Sequence, residues 1–403
     1  MLAYRFEREG GLMKKVLLGS TALIAAGVLA VPAMAQSAAP GKQPQPLRLG
    51  IGGYFQAYGV YVSQPDGVGE YGQNRREFDL KREAEIHFTG SVKLDNGLTV
   101  GAQVELEAEV CSDQIDESYL YFEGGWGKLI LGSENSAGYL LSVGPPSVDG
   151  NFDGLDPNYR IINGLGSGAL NRSTEAWLVN ISGDSEKFTY ISPRFAGFQV
   201  GVSYTPDNSE EATAGQVRAK GGSFAGMPSN KQSDTSAARW EDVIAVGVNY
   251  TNKFGPVSLA VSGSYERGSL SGCVVSAACS GYDDRETWGA YAKVGFAGFE
   301  VGGGYWEDDN GLRGDNKSRA WGGGVTYGVG PFVVGASYLN SEREQPGLDD
   351  DKMQRVLVGG RYTYGPGMDL RASVQWYGLE ADRSRPSADG DSWAFVLGTT
   401  VSF

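Results

Sequence analysis

Apolar and polar residues alternate in short runs along most of this chain, up to its last residue. One run has apolar side chains at every second position, namely Leu370, Ala372, Val374 and Trp376. Another repeats the pattern with Phe299, Val301, Gly303 and Tyr305. Successive side chains of a strand point to opposite faces, so this period of two predicts β-strands with one apolar and one polar face. The runs are mostly about 9 to 14 residues long, enough for a tilted strand to cross an apolar layer of a membrane.

The connections between these runs alternate between short and long. Seven short ones carry the Gly, Asn or Pro residues that tight hairpins require, and they are Asp95-Asn96-Gly97, Gly124-Gly125, Phe195-Ala196-Gly197, Phe254-Gly255-Pro256, Phe296-Ala297-Gly298, Gly330-Pro331 and Gly365-Pro366-Gly367. Eight longer, polar segments separate the other runs. A soluble sandwich has no reason to collect its short turns at one end, whereas a membrane barrel does. The pattern predicts an all-β, transmembrane antiparallel β-barrel of about sixteen strands.

The N-terminal residues have the features of an export signal. Met13-Lys14-Lys15 precedes a run of apolar and small residues, 16–31, and Pro32-Ala33-Met34-Ala35 provides an A-x-A cleavage site. We expect a signal peptide over residues 1–35, in which 1–12 are an upstream extension of the start. Residues 36–47 then form a short lead, and residues 48–403 form the barrel.

Charge and composition exclude several functions. The formal net charge is −14, which disfavours nucleic acid as a partner because its phosphates would repel the protein. One histidine and three cysteines leave few ligands for a structural zinc site and few groups for nucleophilic catalysis. We therefore expect neither an enzyme nor a resident cofactor.

Three segments carry a resemblance to a known family. The last strand, 393–403, alternates apolar residues up to a terminal Phe403, as outer-membrane barrels do, and segments 190–204 and 117–123 resemble parts of Gram-negative general porins of the α-proteobacterial type. The resemblance implies a sixteen-stranded homotrimer in the lipid of the bacterial outer membrane, passing small hydrophilic solutes and ions by diffusion. It also implies that the barrel assembly machinery reads the terminal Phe403.

The third long connection is about 50 residues long and lies between Leu131 and Phe188. Structureless connections of this length are generally functional. In general porins the corresponding loop folds into the barrel and narrows it, so the resemblance implies pore-constriction candidates at Asp149, Asp153, Asp156, Arg160, Arg172 and Glu175. The alternative is a solvated external loop whose acidic residues bind calcium.

Alternation also predicts which charges face the lumen. If Phe78, Leu80 and Ile86 face outward, the inward positions carry Lys81, Glu83, Glu85 and His87, followed on the next strand by Glu105, Glu107 and Glu109. Later strands supply the basic candidates Lys293, Arg355, Arg361 and Arg371. Carboxylates lining a pore attract cations, so we expect a weak preference for cations. Alternatively, each glutamate pairs locally with a neighbouring arginine.

The cysteines favour one loop disulfide. Cys273 and Cys279 flank a short stretch of an external loop, and an oxidising compartment favours a bond between them. Cys111 is left over, either free or bonded to another molecule.

Three other classes of protein remain open at this point. A secreted or surface β-structured adhesion protein would have no pore. A substrate-specific channel of eighteen strands, for a sugar or for phosphate, would show similar alternation. A plugged, energy-coupled transporter would need a larger chain with an extra N-terminal domain.

Overall fold

The strands predicted from the alternation are present and form a single sheet. The computed structural model of the chain describes residues 47–63, 76–108, 115–148, 179–208, 239–271, 281–314, 316–344, 349–380 and 390–403. The strands are β1 Arg48–Ser63, β2 Phe78–Lys93, β3 Thr99–Glu107, β4 Ile115–Gly124, β5 Gly127–Ser133, β6 Glu186–Ile191, β7 Phe198–Asp207, β8 Arg239–Phe254, β9 Val257–Ser271, β10 Arg285–Phe296, β11 Phe299–Asp308, β12 Ser318–Val329, β13 Phe332–Arg343, β14 Asp351–Gly365, β15 Met368–Glu380 and β16 Gly390–Ser402. Each strand pairs antiparallel with the next, and β16 pairs with β1, which closes the barrel. The predicted all-β barrel of sixteen strands is confirmed.

The seven predicted tight turns join β2 to β3, β4 to β5, and so on to β14 and β15. In two of them an Ala-Gly pair has positive φ at both residues. The angles are 49° and 94° at Ala196 and Gly197, and 50° and 87° at Ala297 and Gly298. Two successive positive φ values are the conformation of a type I′ hairpin, whose twist matches that of the flanking strands. The strand ends that lead into the eight longer connections all lie at the opposite end of the barrel.

The outer face of the barrel is apolar and carries two bands of aromatic rings. Near the tight turns, ring centroids lie 4.5 to 4.8 Å apart in the pairs Phe198–Tyr250, Phe299–Tyr327 and Phe332–Tyr362. Nearer the long connections the pairs are Trp288–Tyr305 and Trp321–Tyr338, each with centroids 5.2 Å apart. Such bands are typical of barrels whose apolar belt lies in a bilayer between two polar interfaces.

Strand lengths vary more than the sequence predicts. β1, β2 and β8 have 16 residues each, more than the predicted length of about 9 to 14. β5 and β6 have only 7 and 6 residues, because the third long connection leaves the sheet early between them. The helix α1, Ala137–Leu140, lies in that connection. No helix within the described ranges has the length and apolar character needed to cross a bilayer.

Candidate functional site

The third long connection begins inside the barrel, against β7, β8 and β9. Ser136 caps the N-terminus of α1, its Oγ accepting a hydrogen bond from the Tyr139 N–H at 3.2 Å. The next residues are held by side chains of the three strands. The Ala137 N–H donates to Ser203 Oγ on β7 at 2.7 Å, Asn249 Nδ2 on β8 donates to the Leu141 carbonyl at 3.1 Å, and the Val143 N–H donates to Ser262 Oγ on β9 at 2.8 Å. These bonds fix the entry limb of the connection, residues 134–148, to one polar face of the sheet.

The entry limb then runs across to strands far from β8. Pro146 contacts Gly324 on β12, because a Cβ added to that glycine would lie 2.2 Å from the Pro146 carbonyl oxygen. Val148 contacts Gly359 on β14. At the start of the limb, a Cβ on Gly247 would lie 2.3 Å from the Ala137 carbonyl oxygen. A segment that contacts β8 and β14 of a closed barrel must cross its interior. The predicted inward fold of the third loop is thus confirmed for its described residues, and the face it contacts is the inner one.

Two buried charged residues hold both limbs of this loop to the wall. Glu266 on β9 is fully buried and accepts a hydrogen bond from Ser136 Oγ on the entry limb. Its other oxygen accepts from the Ile181 N–H, at 2.5 Å, on the returning limb. Lys187 on β6 donates to the carbonyl oxygens of Glu134 and, at 2.8 Å, Gly183. Each residue therefore ties the start of the loop to its end.

The inner face of β2, β3 and β4 forms an acidic wall, which we define as Glu83, Glu85, Glu105, Glu107 and Glu117. Cross-strand partners share a face of a sheet. The successive cross-strand partners of Ser203 on β7 lead through β6, β5 and β4 to the face that carries these glutamates. The wall therefore lies on the same inner face that the entry limb contacts. Glu85 lies opposite Glu107 and His87 opposite Glu105. Carboxylate oxygens of Glu85, Glu107 and Asp116 lie within 4.8 Å of one another. Several carboxyl groups are therefore concentrated on one sector of the lumen.

Hydrogen bonds orient the acidic wall. The hydroxyl oxygen of Tyr54 on β1 lies 2.8 Å from Glu83 Oε1 and 2.7 Å from Glu85 Oε1, so its single proton is shared between the two carboxyl groups. Gln103 donates to Glu105, and Asn135 of the entry limb donates to Glu117 at 2.6 Å. His87 Nε2 lies 2.8 Å from Glu85 Oε2 and 3.3 Å from Glu105 Oε2. Among the described residues, the ion-pair partner of both Glu85 and Glu105 is His87.

Basic residues occupy another sector of the inner face. Arg361 on β14 lies opposite Arg371 on β15, and Arg355 is buried on the same face. Asp369 lies 4.0 Å from Arg361 Nε and 3.5 Å from Arg371 Nη2. Lys293 on β10 shares the inward alternation of Tyr291. Lys81 is an exception, because it lies on β2 beside the acidic wall, 2.7 Å from Asp79. The inner wall thus carries an acidic sector and a basic sector.

Several predicted residues lie outside the described part of the chain. These are the loop candidates Asp149, Asp153, Asp156, Arg160, Arg172 and Glu175, the wall residue Glu109, and the cysteines Cys111, Cys273 and Cys279. Their assignments stay predictions. The described entry limb ends at Val148, beside β14.

Two residues that orient the site, Tyr54 and Glu117, are absent from the residues predicted to line the lumen. Both alternate with outward residues, so the alternation that places Gln103 on the inner face could have placed them there as well. Glu266 follows the polar inward positions Ser262 and Ser264 on β9, which gives the same signal. Nothing in the sequence around Glu266 indicates its contact with Ser136, because the two residues are 130 positions apart.

Comparison with known proteins identifies the family. The family of Gram-negative porins matches residues 19–382 of the chain. The chain belongs to the Gram-negative porin family. This porin is also similar to uncharacterized proteins of Rickettsia bellii, with 21% identity over 80% of this chain and 84% of that protein, and of Rickettsia conorii, with 22% identity over 82% and 86%.

Solved structures share the fold of this porin. The anion-selective porin of Comamonas acidovorans superposes with a TM-score of 0.59, at 16% identity, over 89% of this chain and all of that one. OmpF of Salmonella typhi, solved with daunomycin, gives a TM-score of 0.57 at 15% identity over 88% and 97%. OmpT of Vibrio cholerae, solved in a trimer form, gives 0.54 at 11% identity over 89% and 99%.

The family and the geometry together define what the molecule does at a coarse level. A closed barrel with an apolar outer belt, a polar inner wall and a loop folded into its interior is the architecture of a transmembrane channel. This porin is an outer-membrane channel.

Proposed function

We propose that this porin is a general diffusion channel for small hydrophilic solutes and ions with a weak preference for cations. The observation that carries the proposal is the acidic wall, where carboxylates from neighbouring strands line one sector of the lumen and are oriented by Tyr54, Gln103 and Asn135. Apart from this charge pattern, a general diffusion channel needs no group that binds one particular solute.

The size of the cation preference follows from Coulomb's law. A unit charge about 8 Å from a permeating ion changes its energy in water by about 0.5 kcal/mol, which alters its local concentration about twofold. Salt screens this effect within about 8 to 10 Å. A wall of several carboxylates therefore produces a preference of a few-fold that weakens as the salt concentration rises.

A second candidate is an anion-preferring channel. It is favoured by Arg361 and Arg371, which lie opposite each other on the inner face beside Asp369. The porin of Comamonas acidovorans, which shares the fold, is anion-selective. The sector that borders the narrowest point of the pore decides between the two candidates.

The proposal includes how the protein reaches and occupies the membrane. Residues 1–35 act as a cleaved signal peptide, and the barrel assembly machinery inserts the chain into outer-membrane lipid by way of Phe403. The protein works as a homotrimer, for which the trimer form of OmpT gives a precedent in the same fold. Arg82 supports this reading, because it is exposed on the otherwise apolar outer face of β2 and fits a neighbouring subunit better than lipid.

The test is the single-channel conductance of the folded protein in a planar bilayer, with the reversal potential measured under a salt gradient. We expect conductance steps in threes and a cation-selective potential. The double variant Glu105→Gln and Glu107→Gln should lower the cation-to-anion permeability ratio about twofold at low salt. Neutral glutamines keep the shape of the wall, so the conductance itself should change little.

Glu286→Gln serves as the matched control. Glu286 is exposed, pairs with Arg267 at 3.3 Å and alternates with the inward Thr287, so its loss should leave the reversal potential unchanged. An anion-selective potential in the unmodified protein would favour the second candidate. A folded barrel without conductance would contradict both candidates.

A further inference from the structure

We propose that His87, Glu85 and Glu105 form a binding site for a divalent transition-metal cation, with Zn²⁺ as the representative ion. One potential ligand atom from each residue, His87 Nε2 and the Oε2 atoms of the two glutamates, lies within 4.8 Å of the others. The nitrogen is 2.8 Å from the Glu85 oxygen and 3.3 Å from the Glu105 oxygen. Zn²⁺ lies about 2.0 to 2.2 Å from such ligands and so holds them about 3.3 to 3.5 Å apart. Small side-chain rotations would bring the three atoms to that spacing.

The neighbours of the three residues orient them as ligands. The Tyr54 hydroxyl donates to Glu85 Oε1, and Gln103 donates to Glu105 Oε1, which leaves the Oε2 atom of each carboxylate directed at the imidazole. The Tyr54 ring also meets the His87 ring edge-on, with an interplanar angle of 88°. Bonds of this kind to the outer atoms of metal ligands are typical of metal sites.

Exposure and charge favour a bound cation with one open position. The glutamate side chains are only 11% and 12% exposed, whereas His87 is 28% exposed. The imidazole therefore borders the lumen, and a fourth ligand, water, can complete a tetrahedron from that side. A divalent ion would balance the charges of the Glu85 and Glu105 carboxylates.

The donor set selects among divalent ions. One imidazole nitrogen with two carboxylate oxygens suits Zn²⁺ and its first-row neighbours. Ca²⁺ takes six to eight oxygen ligands, and Mg²⁺ retains several waters in an octahedron. We therefore expect the site to bind Zn²⁺ and Co²⁺ much more tightly than Ca²⁺ or Mg²⁺.

The test is equilibrium binding to the folded protein in detergent after treatment with a chelator. Isothermal titration with Zn²⁺ should give one site per chain that His87→Gln abolishes, and Co²⁺ should produce the visible absorption of a tetrahedral complex. Tyr54→Phe keeps the ring and removes the hydroxyl, so the affinity for Zn²⁺ should fall about 10- to 100-fold. Glu107→Gln is the control, since it removes one charge beside Glu85 without removing a ligand, and its effect should stay within a few-fold.

The binding measurement does not depend on the proposed function, because it requires a folded barrel and no conductance. Unchanged Zn²⁺ affinity in a folded His87→Gln protein would overturn the proposal, as would equal affinity for Ca²⁺ or a loss in Glu107→Gln as large as that in His87→Gln. If His87→Gln does not fold, Tyr54→Phe decides alone, and unchanged affinity there overturns the proposal. In a conducting channel, bound Zn²⁺ should also lower the cation preference, and the reversal potential would report this separately.

Discussion

Replacing Glu266 with alanine should release the third loop from the wall while leaving the barrel intact. Glu266 is fully buried and bonds Ser136 on the entry limb and the Ile181 N–H on the returning limb. Its removal leaves two buried polar groups without an acceptor, which costs about 2 to 6 kcal/mol in loop docking. We expect a noisier open state with a larger mean conductance in single-channel recordings, and faster proteolysis of the loop.

Two further variants separate anchoring from simple loss of packing. Glu266→Gln keeps one acceptor oxygen in nearly the same volume, so its effect should be intermediate. Ser264→Ala lies on the same inner face beside Gly138 and leaves both anchoring bonds in place, so its conductance should match the unmodified protein. If Glu266→Ala shows unchanged noise and proteolysis, the other bonds, such as that from the Ala137 N–H to Ser203, suffice to hold the loop.

The strands could be predicted from the sequence because alternation is a local property. β15, Met368–Glu380, contains the apolar series from Leu370 to Trp376 on its outer face, and five residues are enough to detect such a period. The tight turns are equally local, since Gly and Pro determine where the chain reverses. Strand lengths were less predictable, because the shortness of β5 and β6 depends on a loop that folds elsewhere.

Register explains which contacts of the acidic wall could be predicted. A tight turn at Asp95-Asn96-Gly97 sets Lys93 opposite Thr99. Counting the same number of residues away from the turn along each strand sets His87 opposite Glu105. The pairing of His87 with Glu105 can therefore be derived from the sequence. Tyr54 reaches Glu85 across the β1–β2 pair, which is joined by a long connection whose residues define no register. The contact between the Tyr54 hydroxyl and Glu85 therefore could not be predicted by counting residues from a turn.

The loop anchors could not be predicted for a related reason. Ser136 and Glu266 meet because the entry limb folds into the lumen, and no period links a loop residue to a strand four strands further along the chain. The resemblance to general porins implied an inward loop but gave no partner for it. Only the assembled barrel brings the two side chains together.

Replacing Phe403 with alanine should lower the amount of protein in the outer membrane several-fold without preventing refolding in detergent. The Phe403 N–H and carbonyl exchange hydrogen bonds of 3.0 and 3.1 Å with Gly53, closing the seam between β16 and β1. Alanine keeps both bonds and removes only an exposed ring, which is the part a receptor can read.

Deletion of Phe403 and replacement of Phe395 test the two roles of the terminal residue. Deletion removes both seam bonds, worth about 1 to 3 kcal/mol together, and should weaken refolding as well as membrane levels. Phe395→Ala removes another exposed ring from β16 and should leave assembly in cells nearly unchanged. The measurements are the heat-modifiable fraction on gels after refolding and the protein level in isolated outer membranes. Equal membrane levels of Phe403→Ala and the unmodified protein would contradict recognition of the ring, because the seam bonds alone would then direct assembly.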